Sequence, residues 1–393
     1  MDQATLVDPL VALPASLSME AVVLREPGRP PAVETVLLDA PHPDEVLVRV
    51  AAAGVCHSDV HMADGKLGAG RWPVVLGHEG AGVVQAVGAQ VTGLRAGDHV
   101  VFSIVPSCGS CVQCRSGRPT LCEPAGRNIT TGTLLDGTSR LRGADGSTLQ
   151  HGFMVGCFAQ YAVVPAAGAL RISSEIPLWQ AALVGCAAVT GFGAVRRAGV
   201  SIGDTVCVIG CGGVGLQVIV AAHLAGASRI IAVDRGEDKL ERARHQGATH
   251  TVDAETEDVV EATLAISGGV DRAFEVIGRP DTIRQAWDVL RLGGTAVVVG
   301  LAPAGTEVSL AAIQFLGERT ITGSYYGSGD VGMAVDRIGQ FVTDGRLDLT
   351  QAISHVAPLA GVPDALERLR RGEGARTVII VDEPLAGRAP GDA

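Results

Sequence analysis

The chain has 393 residues, 47% apolar and 19% charged, with 31 Lys plus Arg against 42 Asp plus Glu and a formal net charge of −11. That composition excludes a disordered chain, and the acidic balance disfavours non-specific nucleic-acid binding. The length exceeds one ordinary hydrophobic core, so two domains are expected.

Residues 1–18 carry Asp2, Asp8, Pro9 and Pro14 and no basic stretch. They read as a flexible extension and not as a signal peptide. No apolar run has the length of a membrane span, so no membrane partner is expected. From residue 19 onward the segments are short, β-rich and glycine-punctuated, for example 46–50, 82–87 and 99–102. This predicts an irregular β unit over 19–187. Within it, 124–156 is polar and glycine-rich, with turns at Asp136-Gly137 and Asp145-Gly146, and reads as a long surface excursion.

The pattern changes near Ala187. Strand-like segments at 205–209, 229–233, near 251, 272–276, 295–299 and 320–325 alternate with helical ones at 214–225, 237–246 and 281–292. Alternation of this kind predicts a six-stranded, doubly wound parallel Rossmann sheet of the α/β class over 188–325. The tail, 326–393, is expected to return to the first domain.

Cys108, Cys111, Cys114 and Cys122 form C-x2-C-x2-C-x7-C. Four soft thiolates so close in sequence suit one tetrahedral ion, and the spacing fits structural zinc. Nine cysteines in a chain this long point to a reducing compartment, the cytoplasm. Gly210-Cys211-Gly212-Gly213-Val214-Gly215 satisfies G-x-G-x-x-G between a buried strand and a helix. Gly210 allows the tight turn, Gly212 the approach of a pyrophosphate, and Gly215 helix–sheet contact. Asp234 ends the next strand, where it would bind ribose hydroxyls and repel the extra phosphate of NADP, so NAD is expected. Arg235 beside it partly offsets that repulsion. Cys157 and Cys207 read as buried structural thiols; Cys211, in the phosphate turn, is assigned no role, although a helix N-terminus would lower its pKa.

A second set of donors is scattered: Cys56-His57-Ser58-Asp59-Val60-His61, Gly77-His78-Glu79-Gly80-Ala81-Gly82 and Gly185-Cys186. Each alone reads as a packed side chain. In this order, with the four-cysteine lobe and the glycine motif, they resemble the zinc-dependent medium-chain alcohol dehydrogenases. Asp136-Gly137-Thr138-Ser139-Arg140 and Phe274-Glu275-Val276-Ile277-Gly278-Arg279 are similar to the long-insert branch that holds the class I and class III enzymes.

The resemblance implies a GroES-like catalytic domain and two zinc ions per chain. Cys56, His78 and Cys186 would hold the catalytic one, leaving a position open for substrate. Glu79 would approach the metal during ligand exchange, and Asp59 would orient the liganding histidine. Ser58 and His61 would form the proton relay, through the cofactor ribose to water. For the cofactor, the resemblance implies Asp234 and Lys239 at the adenosine ribose and His57 and Arg376 at the pyrophosphate. Val276, Val299 and Leu301 would line the rest of the NAD site. Leu67, Ile104, Phe153, Leu301 and Tyr325, with Ser58, would line the substrate pocket. Ser58 is smaller than threonine, and Ile104 replaces a common aromatic ring. A bulky primary or secondary alcohol, or its aldehyde or ketone, is therefore expected. A thiol-adduct formaldehyde dehydrogenase is the alternative, with Arg127 as its nearest candidate arginine, and a non-catalytic NAD- and zinc-binding scaffold is a further one. The branch also implies a homodimer joined through the nucleotide domains.

Overall fold

The computed structural model describes residues 15–67 and 72–387. Contacts divide the chain into two units. The first runs to Cys186 and takes in Asp330–Leu349 and everything from His355 onward; the second is Ala187–Gly329 with Thr350–Ser354.

The first unit contains a closed five-stranded barrel, in the order Ser16–Leu24, Ala32–Asp39, Leu141–Gly143, Thr148–His151, Val74–Val75. Two expectations change here. Ser16–Ser18, read as extension, pair with Asp39, Leu38 and Leu37; residues 1–14 lie outside the described residues. The excursion is no surface appendage, because two of its segments complete the barrel wall. Leu134, Leu141 and Leu149 within it are at most 2% exposed. Arg140 anchors it, donating from Nε and NH2 to Glu45 at 2.8 Å each, and from NH2 to Asp136 at 2.6 Å. His42, Glu45 and Asp136 offer donor atoms within 4.8 Å of one another, as a metal site would. The Arg140 guanidinium bonds to all three and supplies the positive charge there.

His151, in the same wall, is 1% exposed. Its Nε2 faces the Arg140 N–H at 3.2 Å and its Nδ1 faces Val155 O at 3.3 Å. This pairing fits the neutral tautomer with the proton on Nδ1. Burial lowers its pKa from 6.5 to about 4. The unfolded chain therefore binds a proton that the folded chain refuses between these values. The contribution is whole above about pH 6.5 and is lost as pH falls to about 4, roughly 3 kcal/mol in all. Urea unfolding of wild type and His151→Gln at pH 7 and pH 5 should show a shallower loss on acidification in the variant.

A seven-stranded sheet lies beside the barrel in the first unit. Its central strand, Glu45–Val55, pairs with Glu79–Val87 on one edge and shares the other between Tyr161–Pro165 and Arg376–Ile380. Ala51, Ala52 and Ala53 are fully buried, and their small side chains let neighbouring segments approach closely. The register aligns Gly54 with Glu79 and Val55 with Thr377. Three strand ends therefore bring Cys56, His78 and Arg376 to one place.

The second unit holds the expected doubly wound sheet. Its strands are parallel, in the order His250–Asp253, Arg229–Asp234, Thr205–Ile209, Val270–Glu275, Leu290–Val298, Thr320–Gly323. The order reverses between Thr205–Ile209 and Val270–Glu275, and ligands of such sheets bind in the crevice at that switch. The helix Val259–Ser267 escaped the sequence reading. Its start is marked by Asp258, whose carboxylate accepts from Glu261 N at 2.8 Å. Contrary to expectation, Leu178–Ala198 is a helix long and apolar enough to span a membrane, but its apolar window is 83% buried inside the protein.

Candidate functional site

Cys56 caps the helix His57–Ala63. The Asp59 carboxylate reaches back to Cys56 N at 3.0 Å, and its other oxygen takes His78 Nδ1 at 3.1 Å and Gly77 N at 3.3 Å. One fully buried carboxylate thus fixes both the cysteine turn and the histidine ring. With Nδ1 engaged, Nε2 faces the thiols, 3.5 Å from Cys186 Sγ. Gly77 turns with φ of +93°, and a Cβ there would lie 2.5 Å from Phe158 N. Gly is therefore required before the histidine.

Cys186 arrives on a π-helical turn, Val184–Ala188, inside the long apolar helix. Such turns recur at functional sites. A Cβ on Gly185 would sit 2.3 Å from Phe102 O, so only Gly lets this turn approach the sheet. The donor atoms of Cys56, His78 and Cys186 lie within 4.8 Å of one another, all buried. Cys186, with help from Arg376 and His78, holds the Cys56 thiol well below its ordinary pKa. Cys56 and then burial push the Cys186 thiol well up. Burial pulls His78 down, but Asp59 outweighs it and carries the imidazole to about 10. Two thiols and one oriented imidazole fit the donor set that a catalytic zinc takes, with a carboxylate behind the histidine.

Glu79 is fully buried, with Oε2 2.8 Å from Arg376 Nε. Arg376, 3% exposed, also donates from NH2 to Cys56 Sγ at 3.4 Å. The resemblance implies a pyrophosphate contact for Arg376; its burial against Cys56 and Glu79 had no sequence signal, and strand register brings it there. Ser58 Oγ lies 3.8 Å from Cys56 Sγ, and His57 is exposed on the same helix. His61 is half-buried, and burial, then the Lys66 ammonium, lower its pKa. The Phe153 ring lies tilted against the His78 ring, with centroids 4.5 Å apart. Phe153 and Ile104 are 8% and 7% exposed, and Leu67 is half-buried.

The four lobe cysteines also converge within 4.8 Å, Cys108 and Cys114 sulfurs being 4.0 Å apart. Cys122 Sγ accepts from Cys108 N at 3.3 Å, and Cys108 Sγ from Cys111 N at 3.4 Å. Ser110 first, then backbone N–H groups, hold Cys108 down to about 6. Burial, then Cys111, push Cys114 up to about 12. Four thiolates this close repel one another unless a cation sits among them, so the cluster fits a second zinc.

In the second unit, Gly210 has φ of +103° and opens the turn before the helix Gly213–Leu224. A Cβ on Gly215 would meet Gly210 O at 1.7 Å, whereas one on Gly212 would meet nothing within 4 Å. Gly215 is thus required for packing, and Gly212 leaves room above the helix N-terminus for a pyrophosphate. Val214 is half-buried and Gly213 buried in the first turn. Asp234 accepts from Cys211 N at 2.6 Å, Arg235 N at 2.7 Å and Lys239 Nζ at 3.3 Å. Val276 and Val299 stand half-buried just beyond two strand ends, and Leu301 and Tyr325 are 43% and 45% exposed. Cys211 departs from expectation: burial, not the helix, governs it and pushes its thiol well up.

Residues 42–174 match the family model described as alcohol dehydrogenase GroES-like domain, and 213–340 that described as zinc-binding dehydrogenase. The chain is 36% identical over 374 residues to S-(hydroxymethyl)glutathione dehydrogenase of Saccharomyces cerevisiae, covering 92% of this chain and 96% of that protein. Against the enzyme of that name from Paracoccus denitrificans the identity is 34%, covering 92% and 99%. Among solved structures it is similar to benzyl alcohol dehydrogenase from Acinetobacter calcoaceticus, with TM-score 0.87 and 32% identity, covering 93% of this chain and 99% of that one.

Proposed function

The chain belongs to the zinc-dependent medium-chain alcohol dehydrogenase family, an NAD-linked oxidoreductase family, and from that premise we propose that it oxidises a bulky primary or secondary alcohol. The observation that carries the substrate reading is the apolar Phe153 ring tilted against His78 at 4.5 Å, and by the resemblance a buried Ile104 where relatives carry an aromatic ring enlarges the pocket. We assign Cys56, His78 and Cys186 to the catalytic zinc and the four lobe cysteines to the structural one. Zinc bound by the first set would supply Lewis acidity toward the substrate oxygen, and bound NAD would provide the hydride acceptor.

The residues of the chain orient groups and move the proton. Asp59 holds His78 Nε2 toward the thiols. Ser58 would accept the hydroxyl proton, and His61, its pKa lowered by burial and Lys66, would release to water the proton passed on by way of the cofactor ribose. Arg376 balances charge at Cys56 and Glu79, and a pyrophosphate contact for it and His57 is part of the same reading. Asp234 with Lys239 takes the adenosine ribose and selects NAD over NADP.

A second reading is a thiol-adduct formaldehyde dehydrogenase, favoured by the names of the two relatives. Arg127 is exposed on the helix Glu123–Thr131, where it would meet an anionic adduct. One experiment separates the two: NADH absorbance with a panel of alcohols, and with formaldehyde plus low-molecular-weight thiols. Benzyl-type and branched alcohols should turn over without thiol, and NAD should outperform NADP. Turnover of formaldehyde only when thiol is present would establish the second reading instead.

The assembly is proposed to be a homodimer in the cytoplasm. Leu292, Ile313 and Leu316 are 77%, 72% and 81% exposed, and Thr320–Gly323 is an edge strand. Light scattering at the monomer mass would remove that assembly. Nine free thiols suit a reducing compartment.

A further inference from the structure

Glu275 ends the strand Val270–Glu275, in register with Ile209, the residue before the phosphate turn. It is 0% exposed. Its Oε1 accepts three hydrogen bonds: from Ile277 N at 3.0 Å, Gly278 N at 2.7 Å and Thr282 Oγ1 at 2.7 Å. Its Oε2 is enclosed and has no hydrogen-bond partner among the described residues. An enclosed polar atom left unpaired is a cost that asks for a reason. Filling space would not require it, since a leucine fills the same volume.

The reason lies in what the carboxyl group holds. Residues 276–278 form the turn at the topological switch, where the sheet presents its ligand crevice. Ile277 is packed against the phosphate turn, so that a Cβ on Gly210 would lie 2.8 Å from its Cγ1. The turn also supports the next strand end: Val299 N and Gly300 N donate to Glu275 O at 2.8 and 3.0 Å. A Cβ on Gly300 would meet Gly278 N at 2.1 Å, and one on Gly278 would meet Leu301 at 2.6 Å. The two loops bearing Val276, Val299 and Leu301 are therefore locked together, with Glu275 beneath the lock. Three donors converging on one oxygen suit a carboxyl group, which is rich in acceptor sites, better than an amide.

We propose that Glu275 is a positioning residue for the nicotinamide half of the dinucleotide, acting through the 276–278 turn without touching the cofactor. This rests on the NAD reading above. The sheet has two mononucleotide-binding halves, and the strand ending at Glu275 opens the half that does not hold the adenosine. The effect of removing the carboxyl group is thus confined to one end of the ligand.

The test compares NADH and AMP binding, by fluorescence and calorimetry, to wild type, Glu275→Leu, Glu275→Gln and Thr282→Val, each loaded with zinc. Glu275→Leu should weaken NADH roughly tenfold and leave AMP unchanged, since AMP reports only the adenosine half. Glu275→Gln, which keeps an acceptor, should recover most of that loss. Thr282→Val removes one of the three donors, folds with the carboxyl group in place, and should weaken NADH by a smaller factor. Equal weakening of NADH and AMP would show a general loss of structure and overturn the assignment, as would unchanged NADH binding in Glu275→Leu and Thr282→Val. If wild type binds neither ligand, the NAD reading fails by itself.

Discussion

Replacing Cys186 by alanine should lower alcohol oxidation by on the order of 10³-fold or more, with the fold intact. The thiol is one of three buried donors within 4.8 Å, and it faces His78 Nε2 at 3.5 Å. A metal acting as Lewis acid contributes several kcal/mol to the transition state, and each 1.4 kcal/mol or so is tenfold in rate. Losing the thiol leaves Cys56 and His78 as the only protein donors of this set. The cost to folding is small by comparison. Gly185, not Cys186, makes the close approach to Phe102, and alanine fits the π-helical turn without disturbing it. Zinc content should fall from two ions per chain to one, while the melting temperature moves little. Turnover near the wild-type rate with a single zinc would remove the assignment of this site as catalytic.

The parts of the site that could be read from the chain are those set by short-range chemistry. The lobe cysteines lie within fifteen residues of sequence, and local chain length alone brings them together. The glycine motif declares itself because its backbone demands are local, as at Gly210 and Gly215. Cys56, His78 and Cys186 are different. Their meeting depends on the register of Gly54 against Glu79 and on a π turn far along the chain, and no spacing rule encodes either. Resemblance supplied that grouping. Arg376 shows the same limit: resemblance gave it a pyrophosphate role, but nothing in Ala375-Arg376-Thr377 says that it is buried beside the cysteine donors. Only the pairing of Thr377 with Val55 places it, buried, against Cys56 and Glu79. The excursion failed for another reason. Its polar, glycine-rich composition describes its turns, but Leu141–Gly143 and Thr148–His151 are too short to show an alternating pattern, and they close a barrel. Periodicity needs length, and three- or four-residue strands do not provide it.

Cys111→Ala should produce the opposite division of effects: the catalytic metal stays and the lobe comes apart. The Cys108–Cys122 segment contains only a four-residue helix, Val112–Arg115, and a three-residue 3-10 turn, Pro119–Leu121. Val112 and Leu121 are 59% and 45% exposed, so the lobe has little apolar burial of its own. What orders it is the convergence of four sulfurs, helped by bonds such as Cys108 N to Cys122 Sγ. In small metal-bound units of this kind, metal binding free energy is folding free energy, on the order of 10 kcal/mol in isolated zinc fingers. Removing one thiolate sacrifices most of that. Zinc should fall from two ions to one per chain, as in Cys186→Ala, but the remaining ion should support turnover at close to the wild-type rate at low temperature. Limited proteolysis should cut first within residues 108–122, and the melting temperature should drop by roughly 10 °C or more, at about 2–4 °C per kcal/mol for a domain of 150–250 residues. If instead Cys111→Ala loses activity as steeply as Cys186→Ala with no change in protease sensitivity, the two sets do not divide into a structural and a catalytic metal.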